Sequence, residues 1–115
     1  MAKRVLIVAT NGFEQSELLG PKQALESAGY KTTVASLQTG KIKGWHNGNW
    51  GESVKVDKLI DDIEVDEYAA LLLPGGQMNP DILRMFILGL KQPPIDFLTL
   101  RGARRQQFTE FCARV

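Results

Sequence analysis

The sequence Tyr68-Ala-Ala-Leu-Leu-Leu-Pro-Gly-Gly-Gln-Met-Asn-Pro80 joins an apolar run to a pair of glycines. The run has no polar alternation, which is typical of a parallel strand covered on both faces. Gly75 and Gly76 leave the backbone free to present its N–H groups beyond the strand end. Asn79-Pro80-Asp81 then supplies an N-cap, a proline at the first helical position and an acid in the first turn. Strand, glycine turn and helix indicate an α/β sheet with a ligand site at this edge, and a plain tight turn is the alternative.

The segment upstream predicts a right-handed βαβ unit. Residues 4–9 form a second continuous apolar run, and residues 31–36 alternate and are rich in β-branched side chains, so both are expected to be strands. Between them, apolar residues at helical spacing predict a helix that ends at Gly29. Ser16 is a candidate cap, and Pro21 suggests that the regular helix begins near it, after an irregular segment.

Residues 40–56 are expected to leave the main sheet as a hairpin. Two short alternating segments, 40–44 and 52–56, flank Trp45-His-Asn-Gly-Asn-Trp50. Residues 56–62 predict a short helix or turn with Leu59 and Ile60 facing inward.

Residues 86–115 do not continue this pattern. Phe86-Ile-Leu-Gly-Leu90 is apolar on all sides, and Pro93-Pro94 would stop any helix. A strand is possible at 95–100, followed by a weak helical pattern. Residues 1–85 carry nine Lys and Arg against eleven Asp and Glu, whereas residues 86–115 carry five against two. The sequence therefore divides into an ordered N-terminal part, 1–85, and a divergent tail, 86–115.

Composition places the chain among ordinary globular proteins of one domain. It has 115 residues, 43% hydrophobic and 23% charged, and no run approaches the roughly 18 apolar residues of a membrane span. A single cysteine, Cys112, excludes an intrachain disulfide and favours a reducing compartment, so we expect a cytoplasmic protein without membrane contact. The basic tail lacks interleaved aromatic residues, so no nucleic-acid partner is expected from it.

Three groups could carry chemistry. Glu17 follows the first strand and should lie at the same sheet edge as Gly75 and Gly76, whose N–H groups could form an oxyanion hole. A glutamate there could hydrogen-bond or orient a nucleophile, although solvated or capping glutamates are commoner. Cys112 needs a nearby histidine or helix N-terminus to be reactive, and the one histidine, His46, falls in the hairpin loop. No metal-ligand spacing and no phosphate loop occur, so neither metal nor cofactor is expected.

The motifs in residues 3–85 together resemble the DJ-1/PfpI family. They are Lys3-Arg-Val-Leu-Ile-Val-Ala-Thr-Asn-Gly-Phe-Glu-Gln-Ser-Glu17, Gly20-Pro21, the alternating strand, the hairpin excursion and Ala70-Leu-Leu-Leu-Pro-Gly-Gly76 through Asp81. The resemblance implies a flavodoxin-like three-layer α/β sandwich with a mainly parallel sheet, related to class I glutamine amidotransferase domains.

The resemblance also implies a chemistry. Family members are described as intracellular cysteine proteases, chaperones, glyoxalases and deglycases, usually homo-oligomeric, acting on small carbonyl compounds or peptides. Their site combines an acid matched by Glu17, glycines matched by Gly75 and Gly76, and a cysteine nucleophile in an Ala-x-x-Cys-His-Gly elbow.

This chain lacks that elbow. No Cys-His-Gly occurs, and Cys112 is followed by Ala113-Arg-Val115 instead of a helix. We therefore expect Cys112 not to be a nucleophile, the C-terminal part to be truncated or altered, most simply by a shifted reading frame after Met85, and the chain to be inactive. The strand within residues 69–73 is expected to lose its neighbours and expose its edge. Two alternatives remain: a non-enzymatic module that pairs with a full-length homologue, and an enzyme that uses Cys112.

Overall fold

The computed structural model describes residues 3–64, 67–74 and 96–99, the last as a backbone strand. In chain order the elements are β1 (Arg4–Val8), β2 (Phe13–Glu14), α1 (Gln15–Ser27), β3 (Lys31–Ser36), β4 (Lys41–His46), β5 (Asn49–Lys55), β6 (Lys58–Leu59), a 3-10 helix (Ile60–Asp62), β7 (Ala70–Leu73) and β8 (Asp96–Thr99). None of the helices in these ranges has the length and apolar character of a membrane span.

The main sheet is parallel and runs in the order β6-β3-β1-β7-β8. The first strand therefore lies between the second and the third long parallel strands, which is the flavodoxin-like order. Val5 of β1 lies beside Thr32 on one side and Ala70 on the other. The predicted α/β fold with a mainly parallel sheet is confirmed.

Both faces of the central strands are buried, as the continuous apolar runs predict. Val5 and Ile7 point to the side covered by α1, whereas Leu6 points to the opposite side, and all three are 0% exposed. The core cluster on the α1 side, which includes Val5 and Ile7, also contains Phe13, Leu18, Leu25, Val34, Ile42, Val54 and Leu72. The core cluster on the opposite side, which includes Leu6, contains Val8, Ala35, Tyr68, Leu71 and Leu73, with Ile60 and Ile63 packed against it.

Helix α1 differs from the prediction at its start. It begins at Gln15, six residues before Pro21, which lies inside the helix. Glu14 occupies the N-cap position without a side-chain cap, and Ser16 instead donates a hydrogen bond to the Glu14 carboxylate at 3.2 Å. Burial of Leu18 in the core holds this first turn in the helix, and tertiary packing thus overrides the local signal of the proline.

The end of α1 agrees with the prediction. Gly29 has φ +95°, and its N–H donates to the Glu26 carbonyl at 3.1 Å, while the Tyr30 N–H donates to the Leu25 carbonyl at 3.0 Å. These two bonds form a Schellman motif, which needs a left-handed residue at the position of Gly29.

The predicted hairpin is confirmed and forms a second sheet of order β2-β4-β5. Strands β4 and β5 are antiparallel and joined by Asn47 and Gly48, with φ of 50° and 80°. Two consecutive positive φ values are the signature of a type I′ turn, which Asn-Gly favours.

The segment after the hairpin returns to the main sheet through Asp57. The Asp57 carboxylate accepts the Val34 N–H at 2.8 Å, and the Asp57 N–H donates to the Val34 carbonyl at 2.8 Å. The predicted short helix or turn is a two-residue strand, β6, followed by the 3-10 helix, with Leu59 and Ile60 half-buried.

The prediction that β7 has an open edge is wrong. Strand β8 runs parallel to β7 with Ala70 beside Asp96 and Leu73 beside Thr99, so the tail supplies the neighbour that the sequence did not predict for this edge. The strand predicted at 95–100 is thereby confirmed. The helix start at 79–81 and the rest of the tail lie outside the described residues.

Candidate active site

The carboxyl ends of β1 and β7 lie side by side at the point where the strand order reverses. Ile7 of β1 is paired with Leu72 of β7, and each strand ends within one residue of this pair. The chain leaving β1 runs toward β2 and α1 in one direction, and β7 leads to the buried Pro74 in the other. Such a switch point is where α/β sheets bind their ligands.

Glu17 lies in the first turn of α1, nine residues after the end of β1, and is half-buried. Leu18, the next residue, is fully buried and anchors the turn that carries the carboxyl group.

The hairpin holds the connection between β1 and α1 through backbone bonds. The Asn11 side-chain oxygen accepts the Lys43 N–H at 2.8 Å, and the Gly12 N–H donates to the Lys43 carbonyl at 2.8 Å. Directly after Gly12, β2 pairs in parallel with β4, with Phe13 beside Gly44. The segment that connects β1 to Glu17 is therefore hydrogen-bonded to β4.

A second attachment joins the start of α1 to β5. The Gln15 side-chain oxygen accepts the Glu52 N–H at 2.8 Å. A Cβ on Gly51 would overlap the Gln15 Oε1, so a larger residue there would displace the Gln15 side chain from its bond to Glu52. Gly44 is similarly restricted, since a Cβ there would lie 2.9 Å from Cε2 of the buried Phe13. The hairpin thus fixes the helical turn that presents Glu17.

Sequence reasoning missed these positioning residues. A glycine inside an alternating strand is a signal for close backbone approach, and both Gly44 and Gly51 carry it. Gln15 has no comparable signal, because its role depends on where β5 lies in space.

The other predicted site residues fare differently. His46 is exposed at the end of β4, where its Nε2 lies 3.2 Å from the Asn47 Nδ2, so it is a surface residue as expected. Gly75, Gly76 and Cys112 lie outside the described residues, and the structure therefore does not test whether they meet Glu17. Among the side chains that the structure describes, no group of His, Cys, Asp and Glu is arranged to hold a metal ion.

Glu26, further along α1, has a lowered pKa for a structural reason. Lys22 Nζ donates to its carboxylate at 2.6 Å, and the Thr32 hydroxyl donates at 2.7 Å, and both bonds favour the ionised form. This carboxylate links α1 to β3.

Comparison with known proteins points to one family. The model of the DJ-1/PfpI family matches residues 3–89. The deglycase TK1284 of Thermococcus kodakarensis is 43% identical over 82 residues, which are 71% of this chain and 46% of that protein. A Bacillus subtilis protein named as a candidate cysteine protease, YraA, is 41% identical over 85 residues, which are 73% of this chain and 47% of that protein.

A solved structure has the same fold. The ThiJ/PfpI domain protein from Brachyspira murdochii superposes with a TM-score of 0.62 at 29% identity, over 71% of this chain and 45% of that protein. The chain spans about half the length of the curated relatives it matches.

Proposed function

Since this chain belongs to the DJ-1/PfpI family, we propose that it carries the N-terminal half of a cysteine-dependent hydrolase site of the protease, deglycase or glyoxalase type. The observation that supports this most is the position of Glu17, half-buried in the first turn of α1, the helix that follows β1 and the short β2. Relatives named a deglycase and a candidate cysteine protease share this part of the chain.

In the proposed parent reaction, a cysteine thiolate attacks the carbonyl carbon of a small aldehyde adduct or peptide. The Glu17 carboxyl group orients the cysteine by a hydrogen bond, and the N–H groups of Gly75 and Gly76 hold the oxygen that becomes negatively charged. Donors aimed at this oxyanion are worth about 10²- to 10³-fold in rate. No metal or cofactor is required.

We propose that this chain is itself inactive, because Cys112 lacks both a histidine beside it in sequence and an elbow. The test is the loss of methylglyoxal in the presence of the purified chain and of Cys112→Ala. Both samples are expected to match buffer. Consumption that disappears in Cys112→Ala would overturn the proposal and assign the nucleophile to Cys112.

Residues 86–115 are proposed to be a departure from the family, caused by a shifted reading frame. The family model stops at residue 89, in agreement with a change of pattern in this region. Reading the coding DNA in all three frames from the Arg84 codon should find an Ala-x-x-Cys-His-Gly elbow. If no frame encodes it, the tail is a genuine divergence and the frameshift proposal fails.

A non-enzymatic role, pairing with a full-length homologue, is the second candidate. Strand β8 pairs with β7, and its own outer side has no neighbouring strand in the described sheet, so β8 is one of the edges at which such pairing would occur. Co-elution of the chain with a full-length homologue on size exclusion would support this role, and unchanged elution would reject it.

We also propose a cytoplasmic location and homo-oligomeric assembly. The single cysteine suits a reducing compartment, and the relatives' family supports assembly. Light scattering of the purified chain tests the assembly, and a monomer at all concentrations would contradict it.

A further inference from the structure

The outward side of the hairpin gathers cations and aromatic rings. Ile42 and Val54 point into the core, so their neighbours along the strands point to the opposite side. This hairpin outer face consists of Lys41 opposite Lys55, Lys43 opposite Ser53, and Trp45 opposite Trp50. A register shift after Lys43 and Ser53 adds one residue to β5, and Trp50 thereby lies on the same side as Trp45, whose ring it contacts.

The aromatic end of the hairpin outer face is a pair of indoles. The ring centroids of Trp45 and Trp50 are 5.2 Å apart with planes at 89°, a favourable edge-to-face arrangement. Trp50 nevertheless remains 56% exposed. A large exposed ring held in place by its neighbour is a surface on which another flat ring can stack.

The basic end is arranged at a cost to the hairpin. Lys41 and Lys55 lie directly opposite each other, and like charges in that position destabilise a strand pair. In the part of the chain that the structure describes, neither of them, nor Lys43, takes part in an ion pair. Three unneutralised ammonium groups on one face favour an anionic ligand.

The opposite charge near this face is small. Glu14 is paired with Trp45 in the β2/β4 register and so lies beside the indoles, where its carboxylate accepts the Ser16 hydroxyl at 3.2 Å. Glu52 is exposed at the irregularity in β5. The hairpin outer face therefore keeps a net positive charge. Glu14, which is hydrogen-bonded to Ser16, lies beside its aromatic end.

The face is also rigid. The type I′ turn fixes one end, and the close contacts of Gly44 and Gly51 hold the inner side against Phe13 and Gln15. A preorganised surface loses little conformational entropy when a ligand binds.

We propose that the hairpin outer face binds single-stranded nucleic acid. A base stacks on Trp50, and the phosphates that follow lie along Lys43, Lys41 and Lys55, which is the combination that single-strand binding surfaces use. The seven residues of β5 span roughly 23 Å, enough for about three or four nucleotides. The expectation of no nucleic-acid partner rested on the tail, whereas this surface forms only when the hairpin brings Lys41 beside Lys55.

The test uses the fluorescence of the whole chain. Both tryptophans of the protein lie on this face, so quenching by an eight-nucleotide oligothymidylate reports on it alone. We expect saturable quenching, with a slope of log K against log salt of about −2, since three phosphate contacts on a single strand contribute about −0.7 each.

Matched variants locate the binding. Lys41→Gln/Lys55→Gln should weaken binding and reduce the slope to about −0.7, because one contact remains. Lys31→Gln, an exposed lysine of β3, should change neither, and Glu14→Gln should tighten binding. The three lysines are exposed and Glu14 is half-buried, and far-UV circular dichroism should be unchanged in all of these variants.

Three results would overturn the proposal: no quenching at low salt, quenching that is independent of salt, or equal affinity in the double lysine variant. Displacement of the oligonucleotide by polyglutamate at the same charge concentration would also overturn it, by showing that the face binds acidic polypeptides instead.

Discussion

The main parallel sheet and the hairpin sheet lie next to each other but are held by different means. In the main sheet the central strands are covered on both faces, and Leu6, Ile7 and Leu72 are all 0% exposed. In the hairpin one face is buried through Ile42 and the other carries the exposed Trp50. The first sheet is stabilised mainly by apolar burial on both faces, whereas the second depends on a tight turn, on glycines that allow close docking and on its attachment to the start of α1. The difference separates residues that hold the fold from residues that position the site.

The largest expected effect tests this difference in burial. Leu72→Ala should lower the free energy of unfolding by about 2–5 kcal/mol, because it leaves a cavity in the central sheet. Trp50→Ala, on the exposed side of the hairpin, should cost only about 1 kcal/mol, the value of the lost ring pair. Urea denaturation of both variants measures the two costs, and equal costs would show that the exposed side of the hairpin contributes as much stability as the buried central sheet.

The docking of the hairpin is tested at its glycines. Gly44→Ala should destabilise by about 1–3 kcal/mol, because the new Cβ would lie 2.9 Å from Cε2 of the buried Phe13 ring, which must shift to make room. Gly20→Ala is the matched control. Apart from its chain neighbours and the helix backbone, no atom lies within 4 Å of its Cβ position on α1. Because Pro21 follows, the usual gain of alanine over glycine in a helix is not expected, and Gly20→Ala should cost less than Gly44→Ala. A neutral Gly44→Ala would mean that the hairpin does not press on Phe13.

The like-charge pair of the hairpin should respond to a single reversal. Lys55→Glu places a carboxylate opposite Lys41 and should stabilise the chain by about 0.2–1 kcal/mol at low salt. The gain should shrink as salt screens the pair. Thermal unfolding at two salt concentrations measures it, and a gain that salt does not reduce would exclude an electrostatic origin.

The smallest effect concerns Glu26 and pH. Its folded-state pKa is lowered, first by the Lys22 hydrogen bond and then by Thr32, so its contribution to stability is full above the unfolded pKa. The contribution is lost as the pH falls through the lowered folded pKa, below the ordinary value of 4.5. Glu26→Gln should flatten this part of the pH–stability curve. If Glu26→Gln leaves the loss of stability at acid pH unchanged, the hydrogen bonds from Lys22 and Thr32 to Glu26 do not persist in solution.

Much of the fold follows from local patterns. The apolar runs of β1 and β7, the alternation of β3, the Asn47-Gly48 turn and the left-handed Gly29 each depend on short-range physics that the sequence displays. The start of α1 could not be predicted in this way, because Pro21 signals a break while the distant packing of Leu18 keeps the helix continuous. The pairing of β8 with β7 was likewise hidden, since parallel neighbours are chosen by tertiary contacts.

The candidate site likewise contains residues that local sequence patterns predict and residues that depend on tertiary contacts. Glu17 is predicted at the carboxyl edge of the sheet because it follows a buried strand, and its role in the site stays a prediction. Gln15, Gly44 and Gly51, which hold its helical turn, depend on how the hairpin folds back across α1. Gly75, Gly76 and Cys112 remain predictions.

The most direct test of the proposed half-site is to supply the missing half. Residues 1–89 are joined to the C-terminal part of a full-length family member that carries the cysteine elbow, and methylglyoxal consumption is measured for the folded chimera and for its Glu17→Gln variant. We expect the chimera to be active, the Glu17→Gln chimera to lose activity by at least about tenfold with its folding unchanged, and the natural chain to be inactive. A folded chimera whose activity does not depend on Glu17 would contradict the assignment of this residue to the active site.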